Sequence, residues 1–223
     1  MMASKIHQVL TDDTYEIIKS LLMDHIIKPG ERVSIDGLFR KLKVSQTPIR
    51  EVLARLESEE LVTRRPHSGY YVTDVLSLKE LRALYAFRMQ IEPKAAELAC
   101  LNMDSQGKKL IRKEIEQIKN ISIGKTYAQY KDIFHHDIRF HSLILELSGN
   151  KFLSAAFEKA HCHLHMFRLN PTSSKRQVNA IQEHLKIATV LQGGNPRLAS
   201  WEMKSHIKNS QKRMLCSSED EDD

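Results

Sequence analysis

Apolar residues recur at helical spacing along most of the chain, and its joints lie where that spacing fails. Ile17, Ile18, Leu21, Leu22 and Ile26 repeat between Thr14 and Ile27 and predict a first helix. Lys28-Pro29-Gly30 ends it, because proline cannot continue a helix and glycine supplies a turn. Ile35, Leu38, Phe39 and Leu42 predict a short second helix. In the third, Ile49, Val52, Leu53 and Leu56 stand at i, i+3, i+4 and i+7. Ser45 or Thr47 can cap its start, and Pro48 suits a first turn, where no N–H is needed. The period then changes: "LVTRR" and "YYVTD" are β-prone runs around Pro66-His67-Ser68-Gly69, which predicts a hairpin.

From Leu78 onward no run reads as a strand. Six helical segments follow, at about 78–101, 104–120, 126–148, 150–169, 174–192 and 195–215. Their breaks fall at Asn102, Gly124, Ser148–Asn150, Asn170–Ser174 and Gly193–Pro196. The fold class is therefore mainly α: an N-terminal winged helix-turn-helix (three helices plus a hairpin wing) joined to an all-α bundle of about six helices. The expected units are 1–74, 75–216 and an acidic, solvated tail at 217–223.

Composition changes this picture little: 41% of residues are hydrophobic and 28% charged, as in ordinary globular domains. No apolar run approaches the roughly 18 residues of a membrane span, and no signal-peptide core opens the chain. The three cysteines are widely spaced, form no CxxC pair and suit a reducing cytoplasm, the expected location. Charge matters more. Residues 1–74 carry 11 Lys/Arg and 11 Asp/Glu, whereas residues 75–216 carry 23 and 12. A nucleic-acid reading of the N-terminal unit must therefore rest on local pattern. Gln46 and Arg50 lie off the buried stripe at the start of the third helix, where free backbone N–H groups suit phosphate. Both side chains can make paired hydrogen bonds to base edges in a major groove.

The third bundle helix carries polar groups in its apolar arc. With Asp137 set at zero and 100° per residue, Tyr130 lies at about 20°, Phe134 at about 60°, His141 at about 40° and Ile144 at about −20°. Asp137 and His141 thus face inward, where a carboxylate is costly unless paired or metal-bound. Asp132 and His136 share the same spacing but lie near −140° and −100°, which reads as surface or flank. His184 sits amid Ala180, Ile181, Ile187, Ala188 and Leu191, and His206 shares a face with Ala199 and Met203. One inward histidine alone reads as a hydrogen-bonded core residue. An aspartate and three histidines on three helices form an N/O ligand set for zinc, nickel or a similar divalent ion. His161 and His165, another i, i+4 pair, either touch the same cavity or flank a helix interface.

Residues 14–74, carried by "IIKPGERVSIDGLFRKLKVSQTPIREVLARLESEELVTRRPHSGYYV", resemble the DNA-binding domain of GntR-type bacterial transcription regulators. The resemblance implies DNA-binding positions at Ser45, Gln46, Thr47 and Arg50 on the recognition helix and at His67, Ser68 and Gly69 on the wing tip. This chain departs from the family pattern at Gln46, where arginine is usual, at Asp36, where some members carry a DNA-contacting arginine, at Phe39, where a small residue is common, and at Lys43 and Glu60, which replace frequent glycines. Residues 78–215 resemble the helical FCD effector domain of FadR-type members, through "RMQIEPKAAELA", "DIRFHSLILELSGN", "EHLKIATVLQGGNPRLA" and "MKSHI". That resemblance implies metal binding at Asp137, His141, His184 and His206, a small carboxylate effector, and Arg88 as an effector-binding residue. The expectation is a homodimeric, non-enzymatic regulator of a short palindromic operator in double-stranded DNA, with operator affinity controlled by the effector. The alternatives are a metal-responsive regulator, a purely structural metal, and a metallohydrolase-like enzyme. The last would leave the winged helix unexplained.

Overall fold

The structure is a computed structural model that describes residues 2–118, 122–169 and 174–215, with side chains for 11–118, 122–169 and 176–215. It divides into two compact units, Met1–Val75 and Leu76–Asp223. The acidic tail expected at 217–223 lies outside the described residues.

In the N-terminal unit, helices α1 (Met2–Met23), α2 (Ile35–Leu42) and α3 (Gln46–Ser58) surround a sheet of β1 (Arg32–Val33), β2 (Val62–Arg65) and β3 (Gly69–Val72). The hairpin pairs Val62 with Val72 and Arg65 with Gly69. β1 adds a third antiparallel strand, in the order β1-β3-β2, that the sequence pattern did not announce. It is only two residues long, too short to show an alternation. Ile18 and Leu22 of α1 and Ile49, Val52, Leu53 and Leu56 of α3 are all 0% exposed, each contributing roughly 1.5–3 kcal/mol by burial.

The inward stripe of α1 runs through Tyr15, Ile18 and Leu22, whereas Ile17 and Ile26 are exposed. α1 starts well before Thr14 and stops at Met23, so Ile26 lies beyond it. Lys19 takes a place in the stripe because Glu59 neutralises it at 2.8 Å and the Tyr15 hydroxyl accepts from it at 2.6 Å. Ser34 caps α2 by accepting from the Gly37 N–H at 3.0 Å. Lys43, with φ 58°, turns the chain from α2 toward α3 in a left-handed conformation.

The second unit comprises α4 (Leu78–Leu101), α5 (Ser105–Gln117), α6 (Tyr127–Leu147), α7 (Lys151–Lys159), α8 (Cys162–Leu169), α9 (Ser174–Gly193) and α10 (Pro196–Leu215). Ser77 and Glu80 form a reciprocal capping box that starts α4. α4 is the central helix. Ala95, Ala96 and Ala99 bring its backbone close to its neighbours, and the core continues through Phe140, Ile144, Ile187, Leu191, Met203 and Ile207.

The segment expected as one helix at 150–169 is two. α7 ends at Lys159, His161 adopts φ 41°, and α8 restarts at Cys162. Among the described residues no helix is long and apolar enough to cross a membrane.

Candidate metal centre and nucleic-acid interface

α6, α8, α9 and α10 each turn histidines toward one point inside the second unit. Asp137 and His141 stand one turn apart on α6, and both are buried. His184 Nε2 lies 3.4 Å from Asp137 Oδ1 and 3.3 Å from His141 Nε2. Donor atoms of His141, His184 and His206 fall within 4.8 Å of one another, as do those of Asp137, His141 and His163. Metal–nitrogen and metal–oxygen bonds near 2.1 Å put two donors about 3 Å apart at a right angle and about 4.2 Å apart when opposed. The 3.3 and 3.4 Å spacings from His184 Nε2 to His141 and Asp137 lie in that range, and the two donor groups share His141.

His141, His206 and His184 each give the second ring nitrogen a partner, as metal-binding imidazoles require. His141 Nδ1 is hydrogen-bonded to the Glu92 carboxylate. His206 Nδ1 lies 2.7 Å from Glu183 Oε2, and Arg213 clamps that carboxylate with two bonds at 2.8 Å. His184 Nδ1 lies 3.0 Å from His136 Nε2, and His136 Nδ1 lies 2.8 Å from Glu114 Oε1. A carboxylate can only accept. His136 therefore donates to Glu114 through Nδ1 and accepts from His184 through Nε2, and the His184 Nε2 lone pair faces Asp137 and His141.

The electrostatics favour metal-competent states at His184, His206 and Asp137. Burial, reinforced by His206, His141 and His136, holds His184 well below the usual histidine range. Burial also lowers His206, against the hydrogen bond that it donates to Glu183. Burial alone would raise the Asp137 carboxyl, but His163, His141 and Arg88 hold it below the usual carboxylate range. Neutral imidazoles and an ionised carboxylate are the ligand forms.

His136 corrects the reading of it as surface or flank: it is 0% exposed. The buried arc of α6 continues past Ile133 through Phe140, and His136 stands one turn before Phe140 in the same row. Asp132 is exposed, as expected. His161 and His165 are only half-buried; the buried member of that run is His163, between them. Glu92, Glu114 and Glu183 also escaped the sequence reading. Glu92 and Glu183 each stand next to, or one turn from, a residue singled out there, which was the available signal.

Arg88 is 1% exposed and does not reach into free space. Its Nε donates to Glu92 Oε1 at 2.5 Å, and one terminal N–H meets the Met166 sulfur at 2.9 Å. Burial would raise the Glu92 carboxyl, but Arg88 and His141 push it far below its ordinary range. Arg88, Asp137, His206, Gln177, Arg176 and Arg213 line a cavity of about 70 Å³ beside the donor cluster. That exceeds the room one water needs and suits a small molecule.

In the N-terminal unit, Ser45, Gln46, Thr47 and Arg50 are all exposed at the start of α3. Ser45 is the N-cap residue, yet its side chain makes no capping bond. Gln46 Nε2 donates to Asp36 Oδ1 at 2.8 Å. His67 (φ 57°) and Gly69 (φ 94°) shape the wing tip, and Ser68 bonds the Tyr71 hydroxyl at 2.7 Å. Arg50, Asp36, His67, Ser68 and Gly69 line a single groove, so α3 and the wing tip border the same concavity.

Comparisons with known proteins cover both units. Residues 10–72 match the family model described as bacterial regulatory proteins, gntR family, and residues 83–209 match the FCD domain model. The chain is 26% identical over 196 residues to the HTH-type transcriptional regulator YdhC of Bacillus subtilis, covering 87% of this chain and 86% of that protein. It is 29% identical over 174 residues to the Nta operon transcriptional regulator of Aminobacter aminovorans, covering 77% and 78%. Among solved structures, Escherichia coli McbR/YncC aligns with TM-score 0.66 at 19% identity, covering 92% of this chain and 97% of that one. A GntR transcriptional regulator from Rhodococcus sp. RHA1 aligns with TM-score 0.66 at 18% identity, with the same coverage.

Proposed function

The chain belongs to the GntR family of bacterial regulators, in the branch that carries an FCD domain, and is a DNA-binding transcriptional regulator; on that premise we propose that a small carboxylate, bound beside a divalent ion in the helical unit, controls its affinity for operator DNA. The single observation that carries this is the cavity that Arg88 shares with Asp137 and His206. An ion held by Asp137, His141, His184 and His206, with zinc or nickel as the best matches to this donor set, would offer a Lewis-acidic position to one carboxylate oxygen. Arg88 would receive the other. Its Nη2 donates to Glu92 Oε2 at 3.3 Å, but its Nη1 meets the Met166 thioether, a weak acceptor that a carboxylate would displace to advantage. Glu92 orients both Arg88 and His141, so ion site and anion site share one support.

On the DNA side, Ser45, Gln46, Thr47 and Arg50 would meet the major groove and His67, Ser68 and Gly69 the adjoining backbone or minor groove. A homodimer of such units would read a short palindrome. Control requires the effector to bind the DNA-competent and DNA-incompetent states unequally. Fluorescence anisotropy on the chain's own upstream DNA tests this, with apo protein, nickel- or zinc-loaded protein, and loaded protein plus a panel of small carboxylates. The expected result is sequence-specific binding that at least one carboxylate changes fivefold or more, only when metal is present. Binding indifferent to every acid but changed by the ion would make the metal itself the signal. Binding indifferent to both would leave the ion a structural role.

A further inference from the structure

His163 stands outside the four donors assigned above, yet its surroundings are those of a ligand. It is 3% exposed, and its Nε2 is buried without a hydrogen-bond partner. A buried, unpaired ring nitrogen is costly, so its position needs a reason. That nitrogen lies 3.3 Å from Asp137 Oδ2, and the His163 ring lies 4.7 Å from the His141 ring, centre to centre. Its donor atom and those of Asp137 and His141 fall within 4.8 Å of one another.

The backbone supplies a second, independent observation. In an unbroken helix His163 would stand about 120° from Phe157, turned out of the core, while His161 and His165 would lie within about 80° of it. The chain instead breaks at His161, whose φ of 41° is uncommon for any residue but glycine. After the break His163 is buried against Phe157, with ring centres 5.4 Å apart. A left-handed residue is strained, and here it re-phases α8 so that His163 reaches the cluster.

We infer that His163 is a fifth protein ligand to the divalent ion, completing a shell of one carboxylate and four imidazoles. This rests on the metal-bound reading of the site. Five protein donors suit an ion that prefers six ligands, such as nickel, over four-coordinate zinc. They leave one position open, so the effector would meet the ion through a single oxygen.

Nickel-loaded full-length protein, examined by X-ray absorption, provides the test. Four imidazoles in the wild-type shell are expected; three would overturn the inference. His163→Ala should lose one imidazole and bind nickel at least tenfold more weakly in a competition titration, with a smaller loss for zinc. Unchanged nickel affinity in a folded His163→Ala protein would also overturn it. If that variant fails to fold, the wild-type imidazole count still decides. Wild-type protein that takes up no ion would sink the metal reading and this inference together, whereas an ion held by three histidines would sink this inference alone.

Discussion

At the residue scale, Glu92 carries the most. It is 1% exposed and is hydrogen-bonded to both Arg88 and His141. Removing one partner of a buried ion pair leaves an uncompensated charge, which costs about 3–5 kcal/mol. Glu92→Gln is therefore expected to lower unfolding free energy by about that amount in urea titration, and to weaken metal binding as a lost outer-shell partner does, by about 10–100-fold. Arg88→Met together with Glu92→Leu should restore much of the stability and none of the metal affinity. The buried histidines set the pH response. Burial lowers His163 to about 3, and lowers His184 and His206 as well, so the folded apo protein holds them neutral while the unfolded chain takes up protons. The unfolded state then binds more protons, and stability rises with pH. For His163 the loss begins below the unfolded value near 6.5 and continues down to about 3, at up to about 1.4 kcal/mol per pH unit. Chelated protein should thus show a steady fall in melting temperature from pH 7 to pH 5. A flat profile would mean these imidazoles already carry protons in the folded state.

At the scale of elements, the left-handed turns are the sensitive points. Lys43 (φ 58°) and Glu60 (φ 60°) stand where glycine would be unstrained, and so does His161 (φ 41°). Lys43→Gly and His161→Gly are each expected to raise unfolding free energy by about 1 kcal/mol. His161→Val, β-branched in a left-handed turn, should lower it by more and disturb α8. Loss of metal affinity in His161→Val but not in His161→Gly would tie the turn to the metal centre. The same turn marks the limit of what periodicity could read. "EKAHCHLH" has no glycine or proline to announce a break, so 150–169 reads as one helix and His161 and His165 as the inward pair. Where punctuation is present, at Ser148–Asn150 and at Gly193–Pro196, the joints were legible, whereas α1 stops at Met23, ahead of the Lys28-Pro29-Gly30 expected to end it. Asp137, His141, His184 and His206 were legible as inward because each shares a row with aliphatic neighbours on its own helix. His136 was not, because what buries it is Glu114 on α5 and His184 on α9, and contacts between helices leave no trace in a one-helix projection. β1 escaped for a similar reason, since its pairing partner β3 lies far along the chain.

At the scale of the whole molecule, charge and function are divided unevenly. The DNA-reading unit, residues 1–74, is neutral overall, while residues 75–216 carry a net +11. If the positive charge of the helical unit drew DNA nonspecifically, operator affinity would collapse steeply with salt, since each phosphate neutralised adds about 0.9 to the log–log slope. The α2–α3 turn, the wing and the groove between them offer Arg32, Arg40, Lys41, Lys43, Arg50, Arg64 and Arg65, which bounds the slope at about 6 per bound unit. We expect a measured slope at or below that bound per half-site, unchanged when Lys108, Lys109 and Lys113 of α5 are replaced by glutamine. A steeper slope, or one that falls with those replacements, would place the helical unit on the DNA. Specificity should instead sit on the pair Asp36 and Gln46. Asp36 takes one N–H of the Gln46 amide, which leaves the amide oxygen as the group to accept from a base. Acceptors suit the exocyclic amino groups of adenine and cytosine, not the O6 and N7 of guanine. Gln46→Arg alone is therefore expected to gain little for guanine-containing half-sites, because Asp36 would capture the guanidinium. The double variant Asp36→Ala with Gln46→Arg should shift operator selection toward guanine by roughly 1–3 kcal/mol. Selection returning the same site for the wild type and the double variant would show that this helix start positions the protein on phosphate and reads no base.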